Sequence, residues 1–156
     1  MEKKSLVFLV IIVAVVILSF LAIWYTTEAT AISKLQVTVT NVQIQEIKVT
    51  YTKLKLNIEI SNPTSEDISQ LSTDFNIFIA GIFIGKGSTP LMNIPAQAVK
   101  KTNTTIIIYY ANVANAVIDA LANQNFKLTI QGTLHAKVLF GLLSLSQDFS
   151  SAYSYS

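Results

Sequence analysis

The sequence predicts an all-β domain, a seven-stranded antiparallel sandwich of the immunoglobulin or fibronectin type III kind with one short helix, preceded by a single N-terminal transmembrane helix. Three observations lead to this prediction. Apolar and polar residues alternate with a period of two along most of the chain. Turn-forming Gly, Pro and Asn residues recur about every 8–15 positions. The N-terminal part holds a nearly unbroken apolar run that has no polar face.

Residues 1–25 are predicted to be a short basic head followed by a transmembrane signal anchor. The apolar run extends from Leu6 to Tyr25, and about 20 residues with a rise of ~1.5 Å each cover the ~30 Å hydrocarbon core of a bilayer. Fifteen of these residues are Leu, Ile, Val or Phe, which favours insertion by about 5–9 kcal/mol. This run is assigned the contact with the lipid bilayer, and Trp24 and Tyr25 are placed at its interface.

Lys3 and Lys4 predict a single-pass cell-membrane protein whose N-terminus is cytoplasmic and whose β-domain is extracytoplasmic. A cleaved signal peptide is the alternative, because Ala29, Thr30 and Ala31 have the small-x-small form of a cleavage site. The apolar run is longer than the ~7–15 residues of a signal-peptide core, which favours an uncleaved anchor.

The clearest strand covers residues 51–61, where apolar and polar residues alternate so that one face is buried. A linker over residues 26–34 and an extended stretch with a bend precede it. Asn62 can bond its own backbone two residues on, and Pro63 fixes φ and lacks an N–H donor. The strand therefore ends in a rigid turn, and Asn62 and Pro63 are assigned a structural role.

The predicted sandwich domain spans residues 35–149. Two apolar runs around Gly81 predict a hairpin, and the Gly- and Pro-containing residues 85–90 predict the loop that follows it. A strand rich in Thr and Ile then leads to a helix over residues 112–122, for which Asn112 is the predicted cap.

The C-terminal part alternates again from residue 126 to residue 140. Phe126, Leu128, Ile130, Leu134, Val138 and Phe140 are predicted to point inward. A last strand follows Gly141. Residues 150–156 are rich in Ser and Tyr and are predicted to form a flexible tail.

Four stretches in order carry a resemblance. They are the strand that runs into Ser61-Asn62-Pro63, the hairpin segment with Gly81, Gly85 and Gly87, Ile94-Pro95 with the Thr-rich strand after it, and the helix before a long final strand pair. Together they resemble the late embryogenesis abundant type 2 family, also called the water stress and hypersensitive response (WHy) domain, over roughly residues 32–149. The family often has a second Asn after Asn-Pro, where this chain has Thr64.

The resemblance implies a seven-stranded sandwich with one helix, no enzyme activity and a role in desiccation or water stress. Archaeal and bacterial members often carry an N-terminal membrane segment or signal, and an archaeal origin is the expectation for this chain.

The composition of the chain excludes some classes of binding partner and some kinds of chemistry. The chain has 11 basic residues, all of them Lys, against 9 acidic residues, for a net charge of +2. A nearly neutral chain without Arg has little electrostatic attraction for phosphate backbones, so nucleic acid is not an expected partner. The absence of Cys excludes disulfides, thiolate catalysis and Cys-ligated metals.

No catalytic, cofactor-binding or metal site is predicted. His135 is the only histidine, and it is predicted to be a surface residue on the wet face of a strand. Asp74, Asp119 and Asp148 are scattered along the sequence without a pairing that suits acid–base chemistry.

The glycine-containing hairpin lacks the spacing of a phosphate-binding loop, so Gly81, Gly85 and Gly87 are interpreted as structural turn residues. Glu66 and Asp67 lack the alternating ligand spacing of a calcium loop and are predicted to be solvated. Asn103 begins the single Asn-x-Thr glycosylation sequon, and it is either an acceptor or an ordinary loop residue, depending on the host.

The favoured function is therefore a membrane-anchored, non-enzymatic protein of the water-stress type, which contacts the membrane or other proteins at the cell envelope, or self-associates. The alternative is a pilin-like filament subunit, since pilins also join an N-terminal apolar helix to a β-sandwich. A carrier of apolar ligands between the sheets is a third hypothesis, although core packing explains the abundant Ile and Leu equally well.

Overall fold

The computed structural model describes residues 3–156 and confirms the predicted class, with seven antiparallel strands in two sheets, a short helix and a long apolar N-terminal helix. Met1 and Glu2, the start of the predicted basic head, lie outside the described residues. The elements are α1 (Lys3–Ser33), β1 (Gln36–Ile47), β2 (Tyr51–Ser61), β3 (Ile68–Ile79), β4 (Ile82–Ile94), β5 (Val99–Tyr109), α2 (Asn115–Ala122), β6 (Phe126–Val138) and β7 (Leu143–Tyr155).

The strands form one sheet in the order β1-β2-β5 and a second in the order β4-β3-β6-β7. The apolar members of each alternating pattern face the space between the sheets and form the core, which from β2 takes Leu54, Leu56, Ile58 and Ile60, each at most 1% exposed. A hydrogen bond joins β1 of the first sheet to β7 of the second: the Val39 N–H donates to the Ser151 hydroxyl at 3.0 Å.

Antiparallel pairing gathers three loops at the end of the sandwich that α1 enters. Gln36 at the start of β1 pairs with Ser61 at the end of β2, and Ser69 near the start of β3 pairs with Lys137 near the end of β6. This helix-proximal end consists of the loops at residues 62–67, 95–98 and 139–142.

The predicted linker over residues 26–34 is wrong, because α1 continues through Ser33. The hydroxyls of Thr26 and Thr27 both donate to the Ile23 carbonyl inside the helix. Further along the helix, the Thr30 hydroxyl donates to the Thr26 carbonyl and the Ser33 hydroxyl to the Thr30 carbonyl. Polar residues that look like a linker therefore satisfy their hydrogen bonds within the helix.

The predicted flexible tail over residues 150–156 is also wrong, because β7 runs to Tyr155 and pairs with β6 along its whole length. Ser151, Tyr153 and Tyr155 are half-buried while the residues between them are exposed. The Tyr155 ring stacks on Phe126 with centroids 4.9 Å apart. Burial therefore alternates with the period of two of a strand, although the Ser/Tyr composition suggests a tail.

Residues 85–90 are not a loop, as predicted, but the middle of β4. This strand is an edge strand, so one side of it has no ladder to donate to. The register between β3 and β4 also shifts where Thr73 pairs with Thr89 and Leu71 pairs with Met92. Pro90 lies inside that irregularity, so the ladder does not require a hydrogen bond from the N–H that proline lacks.

Helix α2 begins at Asn115, with Ala114 at its N-cap position, so the predicted start and cap at Asn112 are wrong. A 3-10 turn, Tyr110–Asn112, comes first. The Tyr110 N–H donates to the Thr50 carbonyl, which keeps the chain attached to the sheet for one more residue.

Phe140 is 77% exposed, although alternation predicts it to be buried. β6 ends at Val138, and both Leu139 and Phe140 have positive φ, so the period of two stops before Phe140.

A charged cluster holds the turn between β1 and β2 at the far end of the sandwich. The Lys48 ammonium lies 3.1 Å from one Glu46 oxygen, and the Tyr51 hydroxyl donates to the other at 3.0 Å. The bond to Lys48, followed by the bond to Tyr51, lowers the pKa of Glu46 below 4.5, and the bond to Glu46 raises the pKa of Lys48. A lowered carboxyl pKa stabilises the fold above the unfolded-state pKa, and this contribution is lost as pH falls through the folded-state pKa.

We expect Lys48→Met to raise the pKa of Glu46 toward its ordinary value, because the largest cause of the shift is removed. NMR titration of the side-chain carboxyl measures this change. Lys86→Met, on the other sheet, is the control and leaves the pKa unchanged. An unaltered Glu46 pKa in Lys48→Met contradicts the assignment.

Candidate membrane-anchoring site

The surface of α1 is apolar and uncovered over most of its length. Its 18-residue apolar window has a mean hydropathy of 3.5, and none of that window is buried. Leu9, Val10 and Ile11 are each at least half exposed, and consecutive residues point about 100° apart around a helix, so more than one side is uncovered. By length and composition the helix is able to span a membrane.

Trp24 and Tyr25, the predicted interface pair, face different surroundings. The Trp24 ring lies 5.7 Å from the Phe20 ring and 5.0 Å from the Phe140 ring, centroid to centroid. Tyr25 packs against the core of the sandwich. Trp24 therefore marks the height along α1 at which the helix meets the β6–β7 turn.

Three residues near the C-terminal end of α1 attach the helix to the sandwich. Ala31 and Ile32 are each 2% exposed and belong to the hydrophobic core. The Glu28 carboxylate accepts a hydrogen bond from the Leu139 N–H at 2.7 Å. We call these three residues the helix seat. The seat joins α1 to the domain through side-chain packing as well as the peptide backbone.

Neither Glu28 nor Phe140 is predicted as a site residue from the sequence. One signal was available for Glu28, the sole acidic residue between Glu2 and Glu46, in a stretch otherwise made of small and hydroxyl residues. No local signal indicates Leu139, its partner 111 positions away.

The β6–β7 turn, residues 139–142, has an unusual backbone. Leu139, Phe140 and Gly141 have φ of 50°, 59° and 86°, a left-handed conformation that favours glycine over Leu and Phe. Inside the turn the Gly141 N–H donates to the Val138 carbonyl, and the Leu142 N–H to the Leu139 carbonyl. The bond to Glu28 adds a third constraint.

Asn62 connects two of the loops at the helix-proximal end. It is 1% exposed, and its Nδ2 lies 2.6 Å from the Glu66 carbonyl, 3.3 Å from that of Ile94 and 3.1 Å from that of Pro95. Its Oδ1 accepts from the N–H and the hydroxyl of Thr64. Both polar atoms of this buried side chain are therefore hydrogen-bonded. The turn at Asn62 and Pro63 is held by hydrogen bonds from the buried Asn62 side chain.

The three hairpin glycines differ in role. Gly81 has φ +78° and, with Ala80 at 51°, forms the two-residue turn between β3 and β4. Gly85 and Gly87 lie in strand β4, so their interpretation as turn residues is wrong. A Cβ at Gly87 would come within 2.4 Å of the Phe75 ring, which explains the glycine there.

His135 lies beside a serine and an aspartate that the sequence did not bring together. Its Nδ1 is 2.9 Å from the Ser146 hydroxyl, and its Nε2 is 3.6 Å from an Asp74 oxygen. The side chains of His135 and Asp74 are 44% and 73% exposed, and His135 pairs directly with Ser146 in the ladder between β6 and β7. Two further cross-strand pairs follow the same pattern, Thr133 with Asp148 and Lys137 with Ser144. The trio is part of an open polar ladder, and water reaches its members.

The remaining candidates from the sequence are Glu66 and Asp67 in the acidic loop and Asn103 in the sequon. Asp67 accepts from the Ala96 N–H at 2.8 Å, so it connects loops as well as meeting solvent. Among residues 3–156 no group of three or more His, Cys, Asp or Glu side chains is placed to hold a metal ion. Asn103 is exposed in the middle of β5 rather than in a loop, opposite Asn57 of β2.

Together these features define a β-sandwich domain seated on a helix that is long and apolar enough to cross a membrane. A scan against known protein families and a search of curated proteins found no match. Solved structures do match. The solution structure of the Arabidopsis thaliana protein AT1g01470 has a TM-score of 0.59 at 19% identity, covering 76% of this chain and 78% of that one. This likeness shows a shared fold.

Two more distant structures are also similar. One is At2g46140.1, provisionally assigned to the late embryogenesis abundant (LEA) proteins, with a TM-score of 0.48 at 14% identity and coverage of 90% of this chain and 84% of that one. The other is a protein from Archaeoglobus fulgidus, with a TM-score of 0.43 at 9% identity and coverage of 76% and 94%.

Proposed function

We propose that this chain is a membrane-anchored, non-enzymatic protein of the desiccation and water-stress type, with its β-sandwich on the extracytoplasmic side of the cell membrane. The observation that supports it most directly is the uncovered apolar surface of α1, continuous with a helix seat in the core. In water such a surface is unfavourable at ~25 cal/mol per Å² of apolar area, so α1 requires an apolar surrounding.

The orientation follows from charge. Lys3 and Lys4 precede the apolar run, and basic residues favour the cytoplasmic side. The sandwich follows the other end of α1. Its surface carries the exposed cross-strand pairs Thr133 with Asp148, His135 with Ser146 and Lys137 with Ser144. Because these side chains are spread along an open strand surface, they suit contacts with headgroups or proteins better than catalysis.

Cell fractionation with mass spectrometry of the N-terminus tests the anchor. We expect an intact N-terminus in the membrane fraction, with protease access to the sandwich only from outside. Val13→Lys, Val15→Lys and Val16→Lys together cost about 8–12 kcal/mol of insertion free energy, which outweighs the about 5–9 kcal/mol gained by the apolar run and moves the chain out of the membrane. Lys86→Glu, on β4, is the control and leaves the chain in the membrane.

Other results of that experiment contradict the proposal. Loss of the basic head and recovery in sheared filaments would support a pilin-like subunit. Cleavage after Ala31 would make the chain a secreted sandwich. Substrate turnover that His135→Ala abolishes would contradict the non-enzymatic part.

The stress role needs its own measurement. Vesicles that hold the full chain are dried and rehydrated, and the release of an entrapped dye is compared with vesicles that hold an unrelated single-pass helix. We expect less release with this chain. Equal release contradicts a protective role while leaving the anchor intact.

A further inference from the structure

The β6–β7 turn exposes apolar side chains to an unusual extent. Phe140 is 77% exposed and Leu142 is 80% exposed, and Leu143, the first residue of β7, is 47% exposed. Surface turns are normally built from Gly, Pro, Asn, Asp and Ser, which meet water without cost. A cluster of exposed apolar residues on a turn instead indicates an interaction surface.

The position of the turn indicates which surface it meets. The Phe140 ring centroid lies 5.0 Å from that of Trp24, so the two rings differ in depth by at most that distance, whatever the tilt of α1. Trp24 lies 18 residues beyond Leu6, or about 27 Å along a helix with ~1.5 Å rise per residue. If the apolar run begins at one face of the hydrocarbon core, Phe140 reaches the other face.

We propose that residues 139–143 are a second membrane contact, inserting Phe140 and Leu142 at the boundary between headgroups and acyl chains of the same bilayer that α1 crosses. The inference rests on the anchor in the proposed function. It assigns a membrane contact to the sandwich itself, which a single spanning helix does not require.

Two observations favour the bilayer over a second protein as the occupant. The apolar surface of the turn is continuous with that of α1 through the contact between Trp24 and Phe140. The bond from the Leu139 N–H to Glu28 couples the turn to the helix. With two attachment points, the sandwich holds one orientation on the membrane instead of swivelling on a single helix.

Single-cysteine spin labelling of the full chain tests the proposal, since the natural chain has no Cys. Phe140→Cys and Leu142→Cys replace exposed residues, so both variants retain the fold. Phe83→Cys, half exposed at the opposite end of the sandwich, is the matched control, and Ile12→Cys reports on α1. Each variant is labelled and reconstituted in vesicles of phosphatidylcholine and phosphatidylglycerol, and collision with oxygen is compared with collision with a water-soluble nickel chelate.

We expect the labels at positions 140 and 142 to collide more with oxygen than with the nickel chelate, and the label at position 83 to show the reverse. Chelate-accessible labels at 140 and 142 with a lipid-buried label at 12 would overturn the second contact while leaving the anchor in place. A chelate-accessible label at 12 would overturn the anchor as well. Spin–spin broadening at 140 that disappears on dilution with unlabelled chain would show that a second copy covers the turn, which also overturns the proposal.

Discussion

Gly132→Val is expected to destabilise the sandwich by at least ~3 kcal/mol, a large share of the ~5–15 kcal/mol that holds a typical domain folded. Gly132 lies in β6 opposite Phe75 of β3. A Cβ at this position would be 2.1 Å from the Asp74 carbonyl oxygen and 2.6 Å from the Phe75 Cα. Both are backbone atoms of a strand paired on each side, so neither can move without disturbing the ladder.

Thermal unfolding followed by circular dichroism, with every variant in the same detergent, measures this effect. Gly132→Ala should already lower the midpoint, and Gly132→Val should lower it further. Gly85→Val is the matched control, because a Cβ at Gly85 meets nothing within 4 Å and valine suits a strand. An unchanged midpoint in Gly132→Val would mean that β3 and β6 are not in the register described.

Asn62→Ala is expected to cost about 2–4 kcal/mol, because the Ile94, Pro95 and Glu66 carbonyls lose their side-chain donor. Ile94 is fully buried, so water does not readily replace the amide there. The effect should reach the loops at residues 62–67 and 95–98 together. Hydrogen exchange should rise at the Gln97 N–H, which donates to the Thr64 carbonyl.

Asn62→Asp separates donation from packing. The carboxylate keeps the acceptor for Thr64 but faces three carbonyl oxygens, so its folded-state pKa rises. A raised carboxyl pKa makes the defect smallest below the unfolded value of ~3.9 and larger as pH rises toward the folded value. Asn103→Ala, at an exposed strand position, is the control and should change stability by less than ~0.5 kcal/mol. A pH-independent defect in Asn62→Asp would contradict the role of the amide as donor.

The fold class was predictable because its cause is local. Leu54, Leu56, Ile58 and Ile60 alternate with polar residues in the sequence, and the same alternation appears in their burial. The apolar run of α1 was predictable for the same reason, since hydropathy over consecutive residues requires no partner. The turn at Asn62 was also identified from its own chemistry.

The errors occurred where composition and local structure disagree. The Ser/Tyr stretch after Phe149 resembles a tail, but the length of β6 supplies a partner for every residue of it up to Tyr155. The Thr-rich stretch after Tyr25 resembles a linker, but its hydroxyls bond within the helix. In both cases a distant element or an internal hydrogen bond outweighs what composition suggests.

The candidate site belongs almost entirely to the tertiary structure. Glu28 meets the Leu139 N–H across 111 residues, and Trp24 meets Phe140. The trio of Asp74, His135 and Ser146 comes from three strands. Sequence periodicity specifies which face of each element is apolar, because that depends only on the spacing of neighbouring residues. Which residues meet across elements depends on strand register and on where each strand ends, and these are decided only when the two sheets and α1 pack together.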